Sequence, residues 1–350
     1  NKGTYDVGIK YPGDKMGGKY NPPMGHLHKG ESKEDGAVRE CFEESGIKLD
    51  KSLLKLESKE RWGWNFSVLL PGTIDKYEPK KGDEEKERLD AIKEVGKEWF
   101  DNVNKEKLAI KSSNSDKILH ADFIFAEKPS DIYVIVIHGY TSDPRGMGMY
   151  AQKYHELGYN VLTPSLNGHA DSEASVVTMG WKDRLDIVDW VKFIAENYPE
   201  SKIILHGESM GSATTMMTTG ENLPDNVKAA VADCGYTSVW DIFSNKITNN
   251  FKMHEFPTLY SANLVNKMYS GFDFKEASAV EQLKKSKTPT IFIHGDKDTF
   301  VPYEMLDKVY EACASEKEKV TIKNSPHARN ACVDPELYWN SITNFINKYI

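Results

Sequence analysis

A serine, an aspartate and a histidine each follow a separate apolar run in this 350-residue sequence. Ser209 stands in Gly-Glu-Ser-Met-Gly, between an apolar run and a helical pattern, which predicts a sharp strand-to-helix turn. Asp298 comes after the apolar run 290–294, and His327 comes after the run 319–323. A serine hydroxyl becomes a strong nucleophile when a histidine removes its proton and a carboxylate orients that histidine. These residue types therefore predict a nucleophilic triad.

The serine motif also has a simpler interpretation. Short glycine-serine segments are common, and a serine between glycines is typical of a turn in which the serine caps a helix. The surrounding elements decide between the two, because a triad forms only if the three turns meet at one edge of a sheet.

From residue 118 onward the sequence alternates strand and helix patterns, which predicts a mostly parallel sheet with helices on both faces. The carboxyl ends of parallel strands share one edge, so the turns after them are expected to converge. The predicted strands cover residues 118–126, 132–137, 160–166, 203–205, 227–232, 290–294 and 319–323.

Four segments carry a resemblance to a known fold family. These are His138-Gly139-Tyr140-Thr141-Ser142, the turn around Ser209, residues 233–238 and residues 294–298, with the chain order serine, aspartate, histidine. The sequence resembles the alpha/beta-hydrolases over about residues 61–350, and more narrowly a branch of poorly characterised bacterial serine esterases. The resemblance implies an alpha/beta-hydrolase fold with a helical lid insertion.

The same resemblance implies catalytic roles for Ser209, Asp298 and His327, and hydrolysis of a carboxylic ester through an acyl-serine intermediate without a cofactor. It also implies an oxyanion hole made by the backbone N–H groups of Tyr140 and Met210. Asp233 and Asp296 are rival acids, and Asp298 is favoured because it has the family position ahead of Val301-Pro302. The remaining histidines of this region are expected to make structural hydrogen bonds: His138, His169, His206 and His294.

The stretch 237–286 interrupts the alternation of strands and helices and is rich in Phe, Tyr and Met. We interpret it as a lid over an apolar pocket, with ordinary core packing of extra helices as the alternative. A lid of this composition predicts a small-molecule ester substrate with an apolar or aromatic acyl group.

Residues 25–47 contain a second motif. Gly25, Glu31 and the segment 39–47 have the spacing of the Nudix box, which the sequence resembles closely. A helix over residues 33–44 would place Glu40, Glu43 and Glu44 on one face, as a Mg²⁺ site requires. Only residues 1–24 precede the box, so we predict a partial Nudix-like segment over 1–60, holding Mg²⁺ only if it is active. An acidic, solvated helix is the alternative.

Between the two resemblances, residues 61–116 are interpreted as a helical pre-segment, followed by the hydrolase domain at 117–350. The spacing of Leu89, Ile92, Val95 and Trp99 predicts an amphipathic helix over 84–100. Two alternative functions remain open: a Mg²⁺-dependent Nudix-type nucleoside diphosphate hydrolase, and a hydrolase-fold binding module with a silent triad.

Composition narrows the functional classes. A net charge of −8 does not favour nucleic acid binding, and no apolar run reaches the roughly 18 residues of a membrane span. Cys41, Cys234, Cys313 and Cys332 are scattered, which predicts reduced thiols and a cytoplasmic location, although a Cys313–Cys332 disulfide stays open. The sequence begins with Asn1 instead of methionine, consistent with a preceding leader, anchor or domain.

Overall fold

A computed structural model describes residues 4–10, 24–26, 32, 34–36, 38–39, 54–60, 63–69 and 83–350. The chain divides into two compact units, Asn1–Arg88 and Leu89–Ile350. The boundaries predicted from the sequence, at residues 60 and 116, stay predictions.

The first unit contains a four-stranded sheet. Its strands are β1 (Thr4–Lys10), β2 (Met24–His26), β3 (Leu54–Glu60) and β4 (Gly63–Leu69), in the order β2-β1-β4-β3. β1 and β4 are parallel, and the other two pairs are antiparallel. Residues 34–36 and 38–39 are helical, within the helix predicted for the Nudix-like box. Glu40, Glu43 and Glu44 lie outside the described residues, so the predicted metal site stays a prediction.

The second unit is built on eight strands: β5 (Glu106–Lys111), β6 (Ile118–Ile124), β7 (Ile132–Ile137), β8 (Asn160–Pro164), β9 (Lys202–Glu208), β10 (Val227–Asp233), β11 (Thr290–Gly295) and β12 (Lys317–Ile322). They form one sheet in the order β12-β11-β10-β9-β7-β8-β6-β5. β7 to β12 are parallel, whereas β5 and β6 form an antiparallel edge. The predicted mostly parallel sheet is confirmed.

Helices lie between most of these strands. In chain order they are α1 (Asp83–Asn102), α2 (Gly148–Glu156), α3 (Asp183–Asn197), α4 (Met210–Thr219), α5 (Val239–Asn245), α6 (Glu255–Ser270), α7 (Ala279–Leu283), α8 (Glu304–Ala312), α9 (Asn330–Val333) and α10 (Pro335–Ile346).

Helices cover both faces of the sheet, so side chains of one strand alternate between two hydrophobic clusters. In β7, Tyr133, Ile135 and Ile137 belong to one cluster, and Val134 and Val136 belong to the other. This two-sided burial explains why the central strands are continuous apolar runs. The helices add Trp190, Met216 and Leu306 to the first cluster, and Tyr150, Tyr154 and Phe345 to the second.

The pre-segment differs from its prediction in two respects. It contains strand β5 in addition to helix α1, and β5 is an edge strand whose side chains are mostly exposed, which leaves a weak apolar pattern. Helix α1 forms as predicted, but Ile92 and Val95 are 38% and 61% exposed. Leu89 is buried as predicted, and Gly96 and Phe100 complete the buried face.

The stretch 237–286 lies between β10 and β11 and folds into α5, a π-helical turn (Lys246–Asn250), α6 and α7. Some of its apolar side chains, such as Leu259 and Phe272, are buried in the core, but many others are exposed. Eight of them are each at least 47% exposed: Phe251, Met253, Phe256, Tyr260, Leu264, Val265, Met268 and Tyr269. Ordinary core packing, the alternative considered from the sequence, does not describe these eight side chains.

A buried carboxylate at the start of α3 fixes the loop after β8. Asp183 is 0% exposed, and its Oδ1 accepts hydrogen bonds from the backbone N–H and the side-chain amide of Asn167. Its Oδ2 accepts from the hydroxyl of Thr178 and from the backbone N–H of Gly180. One side chain thereby satisfies polar groups at both ends of this loop.

Replacing this carboxylate is expected to destabilise the fold. Asp183→Ala leaves the buried N–H groups of Asn167 and Gly180 without an acceptor, which should lower the free energy of unfolding by about 2–4 kcal/mol. Urea denaturation measures the change. Glu196→Ala, at an exposed position of the same helix, is the matched control and should change stability by less than about 0.5 kcal/mol. Equal stability of the two variants would contradict the assignment.

Candidate active site

Ser209 occupies a sharp turn at the carboxyl edge of the sheet. β9 ends at Glu208 and α4 begins at Met210, so Ser209 alone joins strand to helix. Its φ of 58° and ψ of −116° are strained for a residue other than glycine. A Cβ on Gly211 would lie 2.0 Å from the carbonyl oxygen of Ile137, so the close contact of α4 with β7 requires glycine. The turn predicted from the sequence is present.

His327 joins Ser209 to Asp298. The Oγ atom of Ser209 lies 2.8 Å from Nε2 of His327, and Nδ1 of the same ring lies 2.6 Å from Oδ2 of Asp298. A carboxylate can only accept here, so Nδ1–H donates to Asp298 and Nε2 is left to accept the serine proton. Three residues separated by up to 118 positions along the chain therefore form one line of hydrogen bonds.

Asp298 is held as an anion. Its side chain is 0% exposed, and its Oδ1 accepts from the backbone N–H groups of Phe300 and Val301, each at 2.9 Å. Burial raises the pKa of Asp298, but hydrogen bonds from His294 and His327 and the charges of both rings outweigh it and lower the pKa to about 2. The carboxylate is ionised at neutral pH and can stabilise a positive charge on His327.

The rival acids face other partners. Asp296 accepts from the backbone N–H of Asn324 at 2.7 Å and pairs with Lys323. Asp233 accepts from Asn330 at 2.6 Å and from the hydroxyl of Tyr338 at 2.7 Å. Burial, together with the charge of Glu208, raises the pKa of Asp233 to about 6. Of the three aspartates, it is Asp298 whose carboxylate hydrogen-bonds to His327.

The loop after β7 approaches Ser209 closely. A Cβ built on Gly139 would lie 3.3 Å from Cβ of Ser209, so the backbone leading to Tyr140 packs against the serine. Thr141, which follows, has a strained φ of 58°. Met210 directly follows the serine, at the first position of α4. Of the two residues predicted for the oxyanion hole, Met210 is therefore the next residue in the chain after Ser209, and Tyr140 follows Gly139, which packs against Ser209.

The other histidines make structural hydrogen bonds, as expected. Burial lowers the pKa of His138 to about 4 and that of His206 to about 3, so both rings are neutral. Their partners are Gly139 and Leu166 for His138, Thr141 and Asn167 for His169, Tyr154 and Tyr338 for His206, and Asp298 and Val301 for His294.

A cation and an aromatic ring from two other segments lie beside His327. The ring of Phe300 is 4.8 Å from the imidazole, centroid to centroid, and Nζ of Lys246 lies 3.5 Å from the Phe300 centroid. Burial lowers the pKa of Lys246, while the charge of Asp298 raises it. Lys246 belongs to the π-helical turn before α6, so the stretch 237–286 reaches the surroundings of the candidate triad. No sequence pattern pointed to this contact.

A second charged pair lies behind Ser209. Lys93 of α1 is 2.7 Å from the carboxylate of Glu208, the residue before the serine. The sequence could have indicated a role for Glu208, because it is a charged residue at the end of an otherwise apolar strand and a buried charge requires a partner. Lys93 carried no signal, because lysines are common on helices.

One combination of side chains near His327 has the spacing of metal ligands. Ligand atoms of Cys234, Asp298 and His327 lie within 4.8 Å of one another. Both ring nitrogens of His327 already bond to Ser209 and Asp298, and burial raises the pKa of the Cys234 thiol well above its usual range. A protonated thiol and a fully engaged imidazole do not fit a metal site. Cys234, Cys313 and Cys332 are all free thiols and are buried, so the Cys313–Cys332 disulfide that the sequence left open does not form.

The sheet, its flanking helices and the serine turn define an alpha/beta-hydrolase. The model of the prolyl oligopeptidase family matches residues 131–337, and the chain belongs to this family. The sequence therefore has the hydrolase character that its motifs predict. The match to the family model does not reach the Nudix-like resemblance at residues 25–47.

Three similar proteins represent the relatives. The thermostable monoacylglycerol lipase of Bacillus sp. (strain H-257) is 25% identical over 254 residues, which cover 65% of this chain and 95% of that protein. Protein YqkD of Bacillus subtilis (strain 168) is 24% identical over 215 residues, or 61% and 70% of the two chains. The structure of the Pyrococcus furiosus esterase Pf2001 superimposes with a TM-score of 0.55 and 25% identity, covering 71% and 93%.

Within the part of the chain that the structure describes, no helix combines the length and the apolar character needed to cross a bilayer.

Asp298 gives the protein a specific dependence on pH. Its folded-state pKa of about 2 lies below the ordinary 3.8, so the ionised carboxylate contributes stability that is complete above 3.8 and is lost as the pH falls through 2. At roughly 1.4 kcal/mol per pKa unit, the stability difference between wild type and Asp298→Asn should shrink by about 2 kcal/mol over that window. Chemical denaturation at successive pH values measures it. Asp296→Asn is the matched control, and a difference that does not vary with pH would contradict the prediction.

Proposed function

We propose that this chain hydrolyses a carboxylic ester through an acyl-serine intermediate, with Ser209 as nucleophile and His327 as general base and acid. Asp298 would orient the imidazole and stabilise its cation. One observation carries the proposal: the unbroken line from the Ser209 hydroxyl through both ring nitrogens of His327 to a buried, ionised carboxylate.

In the first half of the reaction, Oγ of Ser209 attacks the carbonyl carbon of the ester while its proton moves to Nε2 of His327. The carbonyl oxygen becomes an oxyanion, which the backbone N–H groups of Met210 and Tyr140 would stabilise. His327 then donates its proton to the leaving alkoxide, the C–O bond to the alcohol breaks, and the acyl group stays on Ser209.

In the second half, a water molecule replaces the alcohol. His327 removes a proton from this water as its oxygen attacks the acyl carbon, and the same proton then passes to Oγ of Ser209. The acid is released and the serine is restored. Each step uses groups of the chain and water, so the proposed reaction needs no cofactor.

We further propose that the protein recognises an apolar acyl group of the substrate. The stretch 237–286 would be the lid over the pocket that binds this group. Two observations support this. The stretch exposes eight large apolar side chains, and it approaches His327 through Lys246 and Phe300. The relative from Bacillus sp. is a monoacylglycerol lipase, which agrees with such a substrate. A reducing, cytoplasmic location also stays part of the proposal, supported by the free thiols of Cys234, Cys313 and Cys332.

A fluorophosphonate probe tests the proposed nucleophile. The wild-type chain is expected to take up one label, and Ser209→Ala to take up none while losing ester hydrolysis by on the order of 10⁴-fold or more. Intact-mass spectrometry and ester assays give the two readouts. Ser212→Ala is the matched control, since its hydroxyl is buried three residues away and has no hydrogen-bond partner among the described residues.

Two results would refute this assignment. Labelling that persists in Ser209→Ala would move the nucleophile elsewhere. A folded wild-type chain that takes up no label would favour the silent binding module.

The acyl preference is tested with nitrophenyl esters of increasing chain length. We expect kcat/KM to rise from acetate to octanoate, because each buried methylene contributes about 0.8 kcal/mol. Phe251→Ala should reduce the octanoate value by about 3- to 10-fold and leave acetate within about 2-fold. Leu157→Ala, an exposed apolar residue at the end of α2, is the control. Peptide or amide hydrolysis without turnover of any ester would identify a peptidase instead.

A further inference from the structure

Helix α1 precedes the part of the chain that the family model matches, yet it contacts two loops of the candidate active site. Lys93 pairs with Glu208, the residue before Ser209. One turn earlier, Asp90 pairs with Arg329, two residues after His327. The same helix therefore forms ion pairs both with the residue before Ser209 and with the loop that follows His327.

The Lys93–Glu208 pair is almost fully buried. Nζ of Lys93 lies 2.7 Å from Oε2 of Glu208, and the two side chains are 13% and 7% exposed. The hydroxyl of Tyr150 donates to the same oxygen at 2.6 Å. Removing one partner of a buried ion pair leaves the other charge uncompensated, so each group depends on its partner.

The surroundings of Glu208 contain few other positive charges. Burial raises the pKa of Glu208, but the charge and hydrogen bond of Lys93, the hydrogen bond of Tyr150 and the charge of His327 together lower it. The other titratable groups on which Glu208 acts are Tyr150, His206, Asp233, Cys234, Cys332 and Tyr338. Lys93 is thus the main cation that balances an anion adjacent to the nucleophile.

A close contact between two helices brings Lys93 into reach. A Cβ built on Gly96 would lie 2.4 Å from the backbone nitrogen of Met149, and one on Gly148 would lie 2.2 Å from the carbonyl oxygen of Gly96. Only glycines permit this separation of α1 and α2. The contact lies one turn from Lys93 on the buried face of α1.

We propose that Lys93 is a positioning residue of the active site, whose charge balances Glu208 and so limits the attraction of that carboxylate for a proton on His327. The proposal rests on the proposed serine hydrolase function. Its physical basis is that an unbalanced carboxylate beside the serine would attract a proton to the imidazole, and a protonated imidazole cannot accept the proton of Ser209.

Three variants separate charge balance from packing. Lys93→Met retains the apolar stem and removes the cation, so it should shift the acidic limb of the pH profile upward by about half a unit or more and lower kcat/KM below that limb by about 3-fold or more. Glu208→Gln should shift that limb in the opposite direction. The double variant, neutral at both positions, should return the limb to within about 0.3 pH units of wild type.

Lys97→Met is the matched control. Lys97 lies one turn further along α1, where its side chain is 28% exposed and pairs with the exposed Glu94, and its loss should change neither the rate nor the pH profile. Circular dichroism and denaturation verify that each variant is folded.

A second measurement does not depend on turnover. In the Ser209→Ala background, the titration midpoint of the His327 ring is followed by nitrogen-15 NMR with and without Lys93→Met. The midpoint should rise by about half a pH unit or more in the lysine variant and return in the double variant. This titration can be measured even if the wild-type chain proves inactive toward esters. Such inactivity would refute the proposed function and leave the role of Lys93 to be decided by the titration.

The proposal is overturned if Lys93→Met leaves both the pH profile and the His327 titration unchanged. It is also overturned if the double variant is as impaired as Lys93→Met, because the lysine would then act through packing and not through its charge.

Discussion

The strained backbone at Ser209 is the constraint on which the rest of the site depends. A residue other than glycine with a φ of 58° costs on the order of 1–3 kcal/mol, so its surroundings must hold it in place. They do so through the contact of Gly211 with the backbone of Ile137 and the hydrogen bond of the Ser209 N–H to the carbonyl of Asp233. β7, β9 and β10 thereby fix one hydroxyl relative to the loops that approach it.

Polar groups buried beneath that turn must satisfy one another, because α2 and α10 cover this face of the sheet and shield the groups from water. The neutral ring of His206 accepts from Tyr154 and donates to Tyr338, which in turn donates to Asp233. The two tyrosines, in α2 and α10, are far apart in the sequence. A network of this kind restricts the relative positions of the elements that it joins, since any displacement leaves a buried group without a partner.

The sequence predicted what depends on local pattern and missed what depends on contact across the fold. Apolar runs located the central strands, and the turn residues after them located Ser209, Asp298 and His327, because both signals lie within a few residues. Strand β5 was not predicted, because an edge strand buries few of its side chains and so has a weak apolar pattern. The predicted packing face of α1 was right at Leu89 and wrong at Ile92 and Val95, because Gly96, which adds no side chain to an apolar pattern, permits the close approach to α2. The partner of Glu208 is 115 residues away, beyond any pattern.

The antiparallel edge formed by β5 and β6 has a consequence for any shortened version of this protein. The match to the family model begins at residue 131, after both strands, and β6 pairs with β8 from Ala121 to Ile124. A gene trimmed to the matched region would encode a sheet in which the β8 backbone N–H and C=O groups that face β6 lack partners, and such an edge invites pairing between molecules. Insolubility of that fragment would reflect the misplaced cut and not an unstable hydrolase core.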